Sequence, residues 1–177
     1  DKSSYYSISA SGGAEVVGID GITIRADELG VEINGGKNAA GQAQALDLKN
    51  SPSFSGTGGL VVKIGLDPDG EGSQQAPTRT LDAEAGVLRA FGSVTLVVQN
   101  FVYVSGNFEF VKSDQPKTVV LTNNTTKTVN VLTVGASNVN AFIGVGDPDS
   151  NGDGVFDDTD DAAANGADGL VIQDFDF

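Results

Sequence analysis

The sequence predicts an all-β protein, and three observations lead to that prediction. Its apolar residues are mostly Val, Ile, Leu and Phe in short runs that alternate with polar residues, which is typical of half-buried strands. Turn-favouring residues separate the runs, for example at Gly35-Gly36 and Asn123-Asn124. No segment has the long apolar stripe of an amphipathic helix, and only residues 41–46 and 81–88 carry weak helix signals.

The predicted strands are short runs rich in apolar or β-branched residues. Strands 94–98 and 101–104 are separated only by Gln99-Asn100. In chain order the predicted strands are residues 16–19, 22–25, 30–33, 45–48, 60–64, 87–91, 94–98, 101–104, 107–111, 118–121, 128–134, 141–145 and 169–172.

Several of these strands resemble one another, which favours a repeat architecture. Residues 21–24 (GITI), 59–62 (GLVV) and 169–172 (GLVI) each read Gly followed by three apolar or β-branched residues. Such recurrence is expected when rungs stack and each rung contacts chiefly its neighbours. An ordinary β-sandwich also repeats its strands, at intervals of roughly 8–12 residues. We therefore predict one module over residues 1–177, folded as a β-solenoid-like stack of short strands, with a β-sandwich as the alternative.

Charge and missing residue types exclude several functions. The chain of 177 residues has a formal net charge of −14, which disfavours nucleic acid and anionic membranes as partners. It contains no Cys and no His, so a thiol nucleophile, a serine triad and the usual zinc ligands are missing. The remaining oxygen ligands suit calcium and magnesium. No apolar run is long enough for membrane insertion, and a chain without Met is expected to be a segment of a longer protein.

The most specific feature is an acidic run, DSNGDGVFDDTD, from Asp149 to Asp160. It has the spacing of a calcium loop, in which oxygen ligands come mostly from alternate positions. Gly154 at position 6 is expected to have a positive φ, which makes a sharp turn. Phe156 at position 8 is expected to pack against a core and so fix the loop in place. The predicted ligands at positions 1, 3, 5, 7, 9 and 12 are Asp149, Asn151, Asp153, Val155 through its carbonyl, Asp157 and Asp160.

Two alternatives accompany this calcium prediction. The same run is also consistent with a solvated acidic turn, and position 12 is usually a Glu rather than the shorter Asp160. A second acidic turn around Asp67, Asp69 and Glu71 has the same Asp-Pro-Asp start as residues 147–149. It lacks the remaining loop positions, so we interpret it as a solvated turn, with a second cation site as the alternative.

Longer blocks of the sequence resemble a known kind of protein. The blocks are residues 101–112 (FVYVSGNFEFVK), 129–146 (VNVLTVGASNVNAFIGVG) and 169–177 (GLVIQDFDF), preceded by 18–34 and 86–96. They are similar to tandem β-rich repeat modules of giant bacterial extracellular and surface (adhesin-like) proteins. The insert at about 146–169 resembles the dockerin-type calcium loop. The resemblance implies an extracellular or cell-surface location, and neighbouring copies of the module as partners.

From these observations we expect a non-enzymatic structural or adhesive module stabilised by Ca²⁺. We expect it to assemble head to tail into fibres through open strand edges, or to contact a surface glycan or another cell-surface target. The alternative is a carbohydrate-binding module of a secreted enzyme, although Phe108 and Phe110 alternate as core residues do. A glycosidase would need two carboxylates, and Glu32, Glu84 and Glu109 have no recognisable context for that role.

Overall fold

The computed structural model describes residues 2–54, 56–65, 77–113 and 116–177, and every regular element in it is a strand. The all-β prediction is therefore confirmed. Within these ranges no helix is long and apolar enough to cross a membrane. The strands are β1 (Ser4–Val16), β2 (Ile22–Lys37), β3 (Leu60–Lys63), β4 (Thr78–Leu81), β5 (Val87–Val98), β6 (Val102–Ser113), β7 (Lys117–Val120), β8 (Thr126–Val129), β9 (Leu132–Val145) and β10 (Asp168–Phe175).

Six of the strands form one sheet, in the order β1-β2-β5-β6-β9-β10. Its last pair, β9-β10, is antiparallel, with Ile172 opposite Ala141. The hairpins β3-β4 and β7-β8 form two further antiparallel sheets. The connection between β5 and β6 is a tight turn, because Gln99 and Asn100 have φ values of 49° and 52° and Phe101 N–H bonds to Val98 O at 2.9 Å. Two successive positive φ values are those of a type I′ hairpin turn.

The structure does not show the predicted stack of short strands. β2, β5, β6 and β9 are 16, 12, 12 and 14 residues long, and each contains parts of two predicted strands. The interpretation of glycine as a turn signal caused this error. Gly35 and Gly36 were interpreted as a turn but lie inside β2, where Tyr6 and Tyr5 of β1 fill the space that their side chains would take. Long antiparallel strands of this kind are compatible with a sandwich-like arrangement.

Other strand predictions fail for local reasons. β1 and β4 were missed because Ser, Gly, Thr and Arg dilute their apolar residues. Residues 45–48 were predicted as a strand but form none. A side chain holds that segment instead: buried Asn34 donates its amide to Leu46 O at 2.7 Å and to Ala85 O at 3.0 Å. The weak helix signals at 41–46 and 81–88 also yield no helix.

The chain divides into two compact units. Unit 1 comprises Asp1–Ser9, Glu32–Leu88 and Lys112–Val131, and it contains the hairpins β3-β4 and β7-β8. Unit 2 comprises Ala10–Val31, Arg89–Val111 and Leu132–Phe177. Unit 2 holds the acidic loop and a buried cluster of Tyr103, Phe142, Phe156, Ala162 and Ala167.

Candidate metal site in the loop between β9 and β10

The acidic loop lies between β9 and β10, as the sequence predicted. It has no regular secondary structure beyond turns and bends, so its conformation depends on other interactions. Most of these interactions join Asp and Asn side chains to backbone N–H groups of the loop itself. Such side chain–backbone bonds let Asp and Asn build turns without a strand or helix.

Side-chain oxygens bond to the loop backbone at regular intervals. One oxygen of each of four residues accepts a hydrogen bond from the N–H two residues later, at 2.8–3.1 Å; the four are Asp147, Asn151, Asp153 and Asp157. The Asp157 oxygen also accepts the Thr159 hydroxyl at 2.6 Å. These Asx turns give positions 3, 5 and 9 of the loop the same local geometry.

Asp149 organises the glycine turn at the start of the loop. Its two carboxylate oxygens accept the N–H groups of Gly152 and Gly154, both at 2.7 Å. Gly154 has a φ of 84°, a left-handed conformation that glycine adopts without steric cost. The prediction of a positive φ at position 6 is therefore confirmed.

Asp160 closes the loop from its other end. It is only 7% exposed, and its carboxylate accepts hydrogen bonds from both halves of the loop. One oxygen accepts the Ser150 N–H at 2.8 Å, the Ser150 hydroxyl at 3.1 Å and the Asn151 N–H at 3.2 Å. The other accepts the Asp157 N–H at 2.9 Å. These donors satisfy both oxygens of a side chain that is almost fully removed from water.

Phe156 fixes the loop to the sheet of unit 2. Its side chain is 1% exposed and makes an edge-on contact with Phe142 of β9, with ring centroids 6.1 Å apart. Its backbone carbonyl accepts the hydroxyl of Ser105 on β6 at 2.5 Å. The expectation that position 8 pins the loop to a core is confirmed.

Tyr103 links this core to the acidic residues. Its ring makes an edge-on contact with Phe142, with centroids 6.0 Å apart. Burial raises the pKa of its phenol above the usual 10.0, and the charge of Asp147, a hydrogen bond to that residue and the charge of Asp149 raise it further. The phenol therefore stays neutral beside these carboxylates in the folded state.

Two residues that the sequence analysis did not select also hold the loop. Asn165 donates its amide to Asp147 O at 2.9 Å and to Asp149 O at 3.1 Å, which ties the end of the insert to its beginning. Ser150 bonds to Asp160 and accepts the Asp161 N–H at 3.0 Å. Position 2 carries no ligand in a calcium loop, so the spacing alone gave no reason to choose Ser150.

The six predicted ligands lie in one short loop, but their carboxylates do not form a ready-made metal cluster. Among the described residues, no group of three or more Asp and Glu side chains is arranged to hold a metal ion. The reason is local, since Asp149 and Asp160 use both of their oxygens for loop N–H groups. The donor set itself suits a hard cation, since it consists of carboxylate, amide and carbonyl oxygens. The turn with Asp67, Asp69 and Glu71 lies outside the described residues.

The other predicted candidates lie elsewhere in the two units. Glu84 pairs with Lys49 at 2.5 Å in unit 1, and Glu109 pairs with Arg89 in unit 2. Phe108 is half-buried, but Phe110 is 47% exposed, so the expectation of a core position fails for Phe110.

Comparison of the chain with protein-family models, curated proteins and solved structures found no match.

Proposed function

We propose that this chain is a non-enzymatic, calcium-stabilised structural or adhesive module of a large extracellular bacterial protein. One observation carries the proposal, namely the register of the loop from Asp149 to Asp160. Oxygen-bearing residues recur at the positions that a calcium loop uses, the turn glycine has a positive φ, and the apolar residue at position 8 is buried.

The charge of the loop supports a cation as its ligand. Its Asp residues lie close together, and no Lys or Arg occurs between residues 146 and 167. Mutual repulsion of these carboxylates opposes folding, and a bound divalent cation offsets it. A cation that binds only the folded state, at about 100 times its Kd, adds roughly 2.7 kcal/mol of stability. Extracellular modules typically bind calcium with a Kd of about 10⁻⁴–10⁻³ M, so millimolar calcium, about 1–10 times that Kd, would add roughly 0.4–1.4 kcal/mol.

Calorimetric titration of chelator-treated protein with calcium tests this proposal. We expect saturable binding and a higher melting temperature in calcium than in chelator. Asp153→Ala, which removes the predicted ligand at position 5, should abolish both effects. Asp158→Ala is the matched control, because Asp158 is an exposed carboxylate of the same loop at a non-ligand position. Identical melts of the wild type with calcium and with chelator would disprove calcium stabilisation.

A groove in unit 2 favours a second candidate function, carbohydrate binding. Its volume is about 360 Å³, and its lining includes Phe91, Arg89, Glu109 and Asn107. The guanidinium of Arg89 lies 4.2 Å from the centre of the Phe91 ring and pairs with Glu109. An aromatic ring beside paired polar groups suits a sugar, which has apolar C–H faces and hydroxyl edges.

Glycan-array binding distinguishes this second function from the first. A carbohydrate-binding module should bind a glycan, and Phe91→Ala should remove that binding while Phe110→Ala, at an exposed ring outside the groove lining, leaves it unchanged. Absence of glycan binding by the wild type at millimolar ligand would eliminate this candidate and leave the structural module.

A further inference from the structure

The hairpin β7-β8 carries two overlapping acceptor sequences for N-linked glycans at its tip. Asn123-Asn124-Thr125 and Asn124-Thr125-Thr126 both follow the pattern Asn-X-Ser/Thr, in which X is any residue except Pro. No other Asn of the chain is followed two positions later by Ser or Thr. Such a motif is functional only where a transferase can reach the Asn side chain, so its place in the fold is decisive.

Both sequences lie at an exposed tight turn. Residues 121–128 are all exposed. The Asn124 N–H bonds to Leu121 O at 2.9 Å, and the Leu121 N–H bonds to Thr125 O at 2.7 Å, which closes the turn between β7 and β8. Asn124 has a φ of 64°, the left-handed conformation that follows the β-turn in three-residue hairpin loops. The Asn side chains at this tip are therefore open to a large enzyme.

The side chains of Asn123 and Thr125 are joined within the turn. Asn123 Oδ1 accepts the Thr125 hydroxyl at 2.7 Å and the Thr125 N–H at 3.1 Å. An amide nitrogen is a poor nucleophile, because its lone pair is delocalised onto the carbonyl oxygen. Loss of an Nδ2 proton places negative charge on Oδ1, and two donors at that oxygen stabilise the charge. The two hydrogen bonds therefore favour reaction at Nδ2 of Asn123.

The turn distinguishes the two Asn residues. Asn123 and Thr125 both lie within it, whereas the Asn124 sequence runs into β8, where Thr126 is paired with Val120. Asn124 also fills the left-handed position, which Asn tolerates better than most residues, so the turn itself accounts for its presence. The geometry therefore selects Asn123 as the acceptor.

The local charge suits an anionic glycan donor. Residues 116–146 contain Lys117 and Lys127 but no Asp or Glu, although the whole chain has a formal net charge of −14. The hairpin is thus a basic segment of an acidic protein. Its tip attracts a diphosphate group, whereas the acidic parts of the chain repel one.

We propose that Asn123 is the acceptor of an N-linked glycan, and that the donor is a glycan linked to a polyprenyl diphosphate. Asn123 Nδ2 forms a bond to the anomeric carbon of the first sugar. The bond from that carbon to the diphosphate oxygen breaks, and its electron pair leaves with the diphosphate. One Nδ2 proton passes to a base of the transferase. The glycan is a bulky polar group, and it lies beside the exposed side chains of Val120 and Leu121.

This inference goes beyond the proposed calcium-stabilised module and shares with it only the extracellular location. Asn123 belongs to unit 1, whereas the six predicted calcium ligands belong to unit 2. Failure of glycan transfer would leave the calcium proposal standing. Absence of calcium binding would likewise leave the glycan acceptor standing.

Glycan transfer to the folded chain tests the proposal. The chain is incubated with a purified oligosaccharyltransferase that recognises Asn-X-Ser/Thr and with a polyprenyl-diphosphate-linked oligosaccharide. Mass spectrometry of the intact protein and of its peptides should show the addition of one glycan, located at Asn123. A synthetic peptide of residues 119–128 verifies that the transferase is active. Modification of this peptide without modification of the folded chain would overturn the proposal.

Substitution of the two Thr residues separates the overlapping sequences. Thr125→Ala removes only the Asn123 sequence, and Thr126→Val removes only the Asn124 sequence. We expect Thr125→Ala to lose the glycan, and Thr126→Val and the conservative Thr125→Ser to keep it. Asn123→Gln, which removes the acceptor itself, should match Thr125→Ala. All four variants should melt like the wild type, because these positions are exposed. A glycan that persists in Thr125→Ala would overturn the assignment to Asn123.

Discussion

The acidic loop and the strand that follows it form a contrast within unit 2. The loop has no regular secondary structure, yet it contains Phe156 and Asp160, which are 1% and 7% exposed. β10 is a regular antiparallel strand, yet all of its residues are exposed. Regular structure and burial are therefore separate properties here. The loop is held by side chains that bond to its backbone and by one aromatic anchor, whereas β10 is held by its backbone ladder to β9.

This contrast has a functional meaning. A loop whose geometry depends on carboxylates responds to anything that changes their charge, including a cation. β10 is held mainly by its backbone ladder to β9, and the Gln173 side chain and the Asp174 N–H add bonds to the loop and to Asn140. The loop is thus the candidate for ligand control of stability.

The largest difference between the two regions should appear when one phenylalanine is removed from each. Phe156→Ala should lower the free energy of unfolding by about 3–5 kcal/mol, because it leaves a cavity beside Phe142. Phe175→Ala, at a ring that is 52% exposed on β10, should cost less than about 1 kcal/mol. Urea denaturation followed by circular dichroism measures both. Equal losses would show that Phe156 does not anchor the loop.

The carboxylates of the loop should be unequal in a predictable way. In the presence of chelator, Asp160→Ala should lower the free energy of unfolding by about 2–3 kcal/mol. The substitution leaves the N–H groups of Ser150, Asn151 and Asp157 without their acceptor in a buried site. Asp158→Ala, at an exposed position, should be neutral or slightly stabilising because it only reduces repulsion. The same denaturation assay compares them, and a neutral Asp160→Ala would contradict its role in closing the loop.

Glycine substitutions should also separate the loop from an edge strand. Gly154→Ala should cost about 1–2 kcal/mol, because alanine at a φ of 84° is strained. Gly12→Ala on β1 meets no atom within 4 Å and has no such φ, so it should be neutral or slightly stabilising. Thermal melts of the two variants, with and without calcium, give the comparison. Equal melting temperatures would mean that the turn at position 6 adapts to a side chain.

The smallest expected effect is a dependence on alkaline pH. The pKa of Tyr103 is raised in the folded state, so the folded protein holds this proton more tightly than the unfolded chain does. Its contribution to stability is fully present below pH 10 and is lost as the pH rises through the folded-state pKa. Tyr103→Phe should therefore lose less stability than the wild type between pH 9 and about 11.5. Parallel stability–pH curves would contradict this expectation.

The sequence by itself determined the strand composition and the register of the acidic loop. Alternating apolar residues are sufficient to predict an all-β chain, and fixed spacing is sufficient to place Gly154 in a turn and Phe156 in a core, because both depend on local geometry. Only the tertiary structure decided strand length and pairing. Gly36 reads as a turn residue until Tyr5 of the neighbouring strand covers it. The order of the strands, which leaves β1 and β10 at the edges, likewise depends on contacts between residues far apart in the chain, and local sequence does not encode these.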